Sequence, residues 1–254
     1  MSRTIVLAVI AAVVAALGAA QAPARSYPTA VEYSGRWQGF FESSVTGEIG
    51  TFTLDMEATH NRQLDGTLSS PTLPMSLPFH VTVGASNVFT AVSPGGNFVV
   101  HGTQDAGFIW FEHADYRLRQ GGMTDAGMLH FFKSFSDLPA VQLPDRLAGT
   151  FLRDDGERGI IAVLLQGQRG NDFDGVAMFG GIPFPFLGSI GALDARGGMA
   201  PVRALSVSSA GTLLITGDWS EGPAPHLDGM VMATFADGSV HTADFELVPA
   251  VLTG

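Results

Sequence analysis

Apolar and polar residues alternate with a period of two along most of the chain. Residues 51–57 show the alternation clearly, because Phe52, Leu54 and Met56 fall on one face and Thr, Asp and Glu residues fall on the other. The segment 240–248 shows it again. A period of two is typical of half-buried β-strands, whose successive side chains point to opposite faces. The pattern therefore predicts an all-β chain.

Short turn signals separate the alternating segments. They are rich in Gly, Asp, Asn and Pro, which favour tight turns, and they occur at 94–97, 105–107, 125–127, 154–156, 170–171 and 236–239. Beyond the N-terminal segment, a helix is compatible with the pattern only around 128–135. Several short strands with closely spaced turns predict a β-sandwich or a β-barrel.

The chain also contains an internal duplication. Three glycines recur at similar offsets of 114, 109 and 115 residues, in the pairs Gly35 and Gly149, Gly66 and Gly175, and Gly102 and Gly217. We interpret this as two copies of one module, at 30–118 and 147–250. The intervening segment 119–146 is either a linker or extra strands of the first copy. Repeats of this size predict tandem domains rather than a solenoid.

The start of the first copy resembles a known group of proteins. Residues 35–39 read Gly-Arg-Trp-Gln-Gly, which is similar to the opening of calycins, the group that includes lipocalins and avidin-like proteins. Together with Leu-Asp-Gly-Thr-Leu-Ser-Ser-Pro at 64–71, it resembles a β-domain that precedes the catalytic domain in some secreted bacterial hydrolases. The resemblance implies two tandem small antiparallel β-barrels of lipocalin-like type, with Trp37 plugging one end of the first. In the second copy, Phe151 is expected to replace Trp37.

The N-terminal segment has the layout of a secretory signal peptide. Arg3 precedes a run of apolar and small residues from 5 to 20, and small residues continue to Ala24. We predict a signal peptide at 1–24. The alternative is an uncleaved membrane anchor, because the run is close to the shortest length that spans a bilayer. The prediction implies a secreted or periplasmic protein without stable membrane insertion after signal cleavage.

Composition and charge exclude several classes of protein. Acidic residues outnumber basic residues 24 to 13, so the chain lacks the basic surface that nucleic acid requires. Hydrophobic residues make up 46% of the chain, which is ample for a core and excludes intrinsic disorder. The absence of Cys from the sequence excludes a disulfide scaffold and a thiolate nucleophile.

No residue pattern in the sequence indicates catalysis or a metal site. Leu187 stands where the first glycine of a Gly-x-Ser-x-Gly nucleophile elbow would be. The carboxylate pairs Asp55/Glu57 and Asp244/Glu246 fall on the polar sides of predicted strands, where solvent surrounds them. No two of the seven histidines have the short spacing that places two ligands on one strand or helix face. We therefore predict no catalytic residue, metal or cofactor.

Aromatic residues are the candidates for a binding site. The chain contains 18 Phe and 3 Trp, which either fill the cores of two small barrels or line an apolar cavity. The candidate cavity residues are Trp37, Phe52, Phe89, Trp110 and Phe151.

Three functional hypotheses are compatible with the sequence. The first is a lipocalin-like protein that binds a small apolar ligand in a barrel cavity without catalysis. The second is a structural or interaction module that docks a protein partner, which the sequence does not identify. The third is a small-barrel enzyme of the isomerase or cyclase type that uses a buried carboxylate.

Overall fold

The computed structural model describes residues 30–72, 76–84, 88–104, 111–136, 138–194 and 198–250. In these ranges the chain forms one short helix, α1 (Ala30–Tyr33), and sixteen β-strands. No helix of the described part is long and apolar enough to cross a membrane. The predicted signal peptide at 1–24 lies outside the described residues.

The first eight strands form a closed antiparallel barrel in which each strand pairs with the next and the last pairs with the first. They are β1 (Gly35–Ser43), β2 (Ile49–His60), β3 (Gln63–Ser69), β4 (Leu77–Val83), β5 (Val88–Val92), β6 (Phe98–Gln104), β7 (Phe111–Gln120) and β8 (Met123–Lys133). Closure leaves no unpaired sheet edge.

The remaining eight strands form a second closed barrel with the same topology. They are β9 (Arg146–Arg153), β10 (Arg158–Arg169), β11 (Asp172–Phe179), β12 (Ile182–Ile190), β13 (Met199–Ser208), β14 (Gly211–Ser220), β15 (His226–Phe235) and β16 (Val240–Pro249). The prediction of an all-β chain with two tandem antiparallel barrels is confirmed.

Strand β8 corrects two expectations drawn from the sequence. The turn expected at 125–127 and the helix considered at 128–135 both fall on this strand or at its end. The actual turn before β8 is formed by Gly121 and Gly122, whose φ angles of 60° and 85° suit a two-residue hairpin. Gly127 is needed for a different reason, because a Cβ there would lie 1.9 Å from the Glu42 carbonyl oxygen. Its role is to let β1 approach closely.

Segment 119–146 contributes to both barrels. Met123–Lys133 forms β8 of the first barrel, and later residues reach the second. Val141 and Leu143 are buried in the second barrel's core, and Gln168 hydrogen-bonds the backbone of both residues. Helix α1 has the corresponding position in the first barrel, where the Ala30 amide donates to the Asn61 carbonyl. In each barrel, the residues that precede the first strand close the same end.

The two barrels share a pairing of glycine with an aromatic ring. Phe41 lies opposite Gly50 in β2, and Phe151 lies opposite Gly159 in β10. A Cβ at either glycine would lie 2.3 Å from the ring, so the ring occupies the space of the missing side chain. Phe41 and Phe151 therefore hold the same position in their barrels.

This correspondence changes the alignment of the two copies at their first strands. Gly39 matches Gly149, since a Cβ at either would collide with a carbonyl oxygen of the strand that closes the barrel. The expectation that Phe151 replaces Trp37 is wrong, because Leu147 holds the position of Trp37. The glycine of the first copy that recurs as Gly149 is therefore Gly39, which permits close strand approach, and not Gly35. The other two glycine pairs agree with the strand registers.

The barrels pack against each other through apolar residues on their outer walls. Phe40 and Phe132 of the first barrel contact Leu205 and Val207 of the second. Side chains on the outer face of a single small barrel would be solvated. Phe132 is 0% exposed and Phe40 is 6% exposed, so both rings are buried where the two barrels meet.

Hydrogen bonds surround this apolar contact. The Gln38 amide donates to the Gly188 carbonyl oxygen at 2.8 Å and to a carboxylate oxygen of Asp172 at 3.3 Å. The Ser134 hydroxyl donates to the same carboxylate oxygen at 2.5 Å. Because Gln38 is buried, these bonds satisfy polar groups that would otherwise oppose packing.

Candidate functional site

The first barrel contains an apolar cavity of about 220 Å³ at the end opposite α1. Its wall is formed by side chains that point inward from several strands, namely Phe41, Phe52, Leu68, Leu77, Phe98 and Leu129. Polar side chains of Glu48 and Thr72 lie at the mouth and are exposed to solvent. The cavity is therefore an apolar cup with a polar rim.

The floor of the cup is nearly filled. A second space of about 20 Å³ lies deeper in the barrel, between side chains that include Phe89 and Phe131. Trp37 lies near α1 and stacks on Tyr33 with ring centres 5.8 Å apart, and its indole N–H donates to the Tyr33 carbonyl oxygen at 2.9 Å. Helix α1 and Trp37 close this end, so the cup opens in one direction.

A hydrogen-bonded polar group stands on the wall of the cup. The Tyr116 hydroxyl donates to Asp125 Oδ2 at 2.7 Å, and the Ser43 hydroxyl donates to Asp125 Oδ1 at 2.5 Å. The amide of Ala126 donates to Oδ1 as well, at 2.9 Å. Burial raises the pKa of Tyr116, and the hydrogen bond to Asp125 raises it further. The phenol is therefore held in its neutral, hydrogen-bond-donating form.

Tyr116 should make the stability of the protein sensitive to alkaline pH. Its folded-state pKa lies above the ordinary value of 10.0, so its stabilising contribution is complete below pH 10 and declines as the pH rises further. We expect the free energy of unfolding, measured in urea between pH 8 and 11.5, to decline less steeply with pH in Tyr116→Phe than in the wild type. At neutral pH, loss of the hydrogen bond should lower the free energy of unfolding by about 0.5–1.5 kcal/mol.

The comparison of wild type with Tyr116→Phe removes a competing effect. Burial lowers the pKa of Arg203 to about 10, so that group changes stability with the opposite sign over the same pH range. Both proteins contain Arg203, so its contribution cancels in the difference. Parallel alkaline curves for the two proteins would contradict a raised pKa of Tyr116.

The second barrel has aromatic rings at two positions where the first barrel has smaller side chains beside the cup. By strand register, Ser70 corresponds to Phe179 and Leu77 corresponds to Phe184. Phe179 stacks on Phe151 with ring centres 4.2 Å apart, and Phe184 is 0% exposed. The smaller side chains at positions 70 and 77 leave room in the first barrel that aromatic rings occupy in the second.

The five aromatic residues singled out from the sequence lie in different places. Phe52 lines the cup, Phe89 borders the smaller space beneath it, and Trp37 packs at the closed end. Phe151 is buried in the core of the second barrel. Trp110 lies outside the described residues. The structure thus brings Trp37, Phe52 and Phe89 to the inside of one barrel, where each of the three rings contacts Phe131, and separates them from Phe151.

Sequence reasoning missed the polar part of the site. Tyr116 and Asp125 were not singled out, although Ala114, Tyr116 and Leu118 alternate as the inner face of a strand should. The turn expected at 125–127 places Asp125 outside a strand, whereas its side chain lies on the inner face of β8. The alternation around Tyr116 is the signal that could have identified it.

A polar cluster lies at the mouth of the second barrel. Asp154, Asp155 and His241 place ligand atoms within 4.8 Å of one another. The Arg153 guanidinium contacts two of them, at 2.8 Å from an oxygen of Asp155 and 2.6 Å from His241 Nδ1, and also pairs with Glu157. Arg153 already balances Asp155 and Glu157, and Asp154 accepts a hydrogen bond from the Thr242 hydroxyl, so the cluster has the character of a surface ion-pair network.

Comparisons with known proteins give little beyond the architecture. No family model matches the chain, and no curated protein matches it in sequence. Among solved structures, one similar chain is a redesigned β-barrel with 20% identity and a TM-score of 0.30, covering 43% of this chain and 92% of its own. Another is a DUF3598 family protein of unknown function from Nostoc punctiforme, with 13% identity and a TM-score of 0.28, covering 85% of this chain and 96% of its own.

Proposed function

We propose that this chain is a secreted or periplasmic, lipocalin-like protein that binds a small apolar molecule in the cup of its first barrel. The cup supplies an apolar wall, a closed floor and a few polar groups at the mouth, which is the usual composition of a small-molecule site. The proposed location rests on the N-terminal segment at 1–24.

The observation that carries the proposal is the difference between the two barrels. Protein cores are close-packed, and an unfilled space costs stability. The second barrel fills the corresponding space with Phe179 and Phe184, whereas the first has Ser70 and Leu77 there. The barrel fold can therefore hold larger side chains at these positions, and the cavity results from the side chains of the first barrel. A cavity of this kind is explained by an occupant.

The volume of the cup limits the size of the occupant. At about 220 Å³ it is larger than the roughly 150 Å³ apolar cavity that takes up benzene. It is smaller than the roughly 300 Å³ at which pockets for larger ligands begin. The part of a ligand that the cup encloses is therefore a single ring or a short alkyl chain, with the polar end at the mouth.

The acidic residues considered for catalysis do not support the enzyme hypothesis. Asp55, Glu57, Asp244 and Glu246 are all exposed on the outer faces of their strands. Burial in a dry pocket is what raises the pKa of a carboxyl group into the range of general acid catalysis. These four side chains have no such environment, so they do not support catalysis.

Isothermal titration calorimetry with 1-octanol tests the proposal. We expect one octanol per chain, with a negative heat-capacity change because apolar surface is buried. Native mass spectrometry of protein purified from its own host should also show a retained small molecule. The absence of octanol binding, together with no co-purified molecule, would contradict the proposed function.

A further inference from the structure

The ionisable groups that line the cup are acidic. Among the described residues that border it, Asp125 and Glu48 are carboxylic acids and none is a lysine, arginine or histidine. Arg117 and Arg119 lie on the same strand as Tyr116 but point to the outer wall, because side chains alternate along a strand. There they border a separate groove on the barrel surface. The cup therefore presents negative charge to a ligand without a neighbouring positive charge on its lining.

Asp125 retains hydrogen-bonding capacity toward the cup. Its Oδ1 atom accepts from the Ser43 hydroxyl and the Ala126 amide, and its Oδ2 atom accepts from Tyr116. An ionised carboxylate offers about four acceptor sites. Among the described residues only Tyr116 donates to Oδ2, so one acceptor site on this atom is open to a group that donates a hydrogen bond. The bonds to Ser43, Ala126 and Tyr116 also hold the carboxylate in one orientation.

We propose that the cup selects apolar molecules whose polar end donates a hydrogen bond, such as a hydroxyl or a protonated amine, and excludes carboxylates. This inference rests on the proposed function and specifies its ligand class. An alcohol or an alkylammonium group fits the free acceptor site of Asp125. A carboxylate at the same place would put like charges beside Asp125 and Glu48, which opposes binding.

Three ligands with the same alkyl chain test the selectivity on the full-length protein. Calorimetric titrations at pH 7 with octylamine, 1-octanol and octanoate compare a cation, a neutral donor and an anion. We expect octylamine to bind at least as tightly as octanol, and octanoate to bind about tenfold more weakly or worse than octanol. Octanoate binding as tight as octanol binding would overturn the inference and leave the proposed function intact. Failure of all three ligands would instead overturn the proposed function.

Two substitutions connect the selectivity to the acidic residues. Asp125→Asn should bring octanoate to within about threefold of octanol and should weaken octylamine, because the charge is removed while the amide can still bond its neighbours. Glu48→Gln should also strengthen octanoate binding and weaken octylamine binding, but by a smaller factor than Asp125→Asn. This exposed side chain can be changed without disturbing the core. The matched control is Glu246→Gln, an exposed acid on the second barrel, which should leave all affinities unchanged. Unchanged ligand ratios in both cup variants would contradict the proposed role of Asp125 and Glu48.

Discussion

The double variant Ser70→Phe/Leu77→Phe is expected to lose octanol binding completely while its barrels stay folded. These substitutions give the first barrel the aromatic residues that the second barrel has as Phe179 and Phe184. The ring added at position 70 is the size of benzene, which fits an apolar cavity of about 150 Å³, and the cup measures about 220 Å³. In the second barrel the corresponding rings lie beside Ile161 and Ala177, where the first barrel has the larger Phe52 and Leu68, so the added rings have to fit within the volume of the cup.

Calorimetry with octanol measures the loss, and near-ultraviolet circular dichroism checks that the tertiary packing is preserved. The matched control is Ser70→Ala, which removes the hydroxyl that donates to the Thr51 carbonyl oxygen but does not fill the cup. The control should bind octanol as the wild type does. If the double variant is folded and still binds octanol, the ligand does not occupy the cup.

Phe132→Ala is expected to be the most destabilising single substitution between the barrels. Its ring is 0% exposed and is covered by residues of the second barrel, including Leu205 and Val207. Truncating a buried phenylalanine to alanine removes apolar burial and leaves a cavity, which lowers the free energy of unfolding by about 3–5 kcal/mol. Urea unfolding followed by intrinsic fluorescence measures this change. Because the substitution acts at the contact between barrels, it should also reduce the cooperativity of the transition.

The control for Phe132→Ala is Ile160→Ala on the outer wall of the second barrel. Ile160 is 72% exposed, so its truncation should change the free energy of unfolding by less than about 0.5 kcal/mol. Equal, small effects of the two substitutions would contradict a packed interface at Phe132. A large effect of both would indicate that Ile160 is covered by a partner.

Local alternation predicted the fold class because it reports directly on which side chains are buried. Phe52, Leu54 and Met56 are buried as their spacing indicates, and the residues between them face solvent or are partly exposed. The hairpin at 236–239 lies between β15 and β16 as expected. The turn expected at 125–127 is wrong, because glycine favours a turn at some positions and permits close approach of two strands at others, as Gly127 does.

The candidate site was only partly predictable. The position of Phe52 on the cup wall follows from its place on the inner face of a strand, and its role in binding stays a prediction. Tyr116 and Asp125 meet through the pairing of β7 with β8. Ser43, the last residue of β1, joins them because β1 pairs with the other side of β8. Such contacts depend on strand register, because a shift of one residue in the pairing would turn each inward side chain to the outer face.

By itself, the sequence determined that this protein is rich in β-structure, duplicated, acidic and free of cysteine. These properties depend on composition and on the spacing of residues along the chain. Only the tertiary structure decided which aromatic residues in the two copies are equivalent and where the first barrel encloses a cavity. The physical reason is that a cavity is the difference between the volume a barrel encloses and the volume its inward side chains fill. Strand pairing decides which side chains, such as Ser70 and Phe179, point inward at a given level of the barrel and which aromatic rings they meet there.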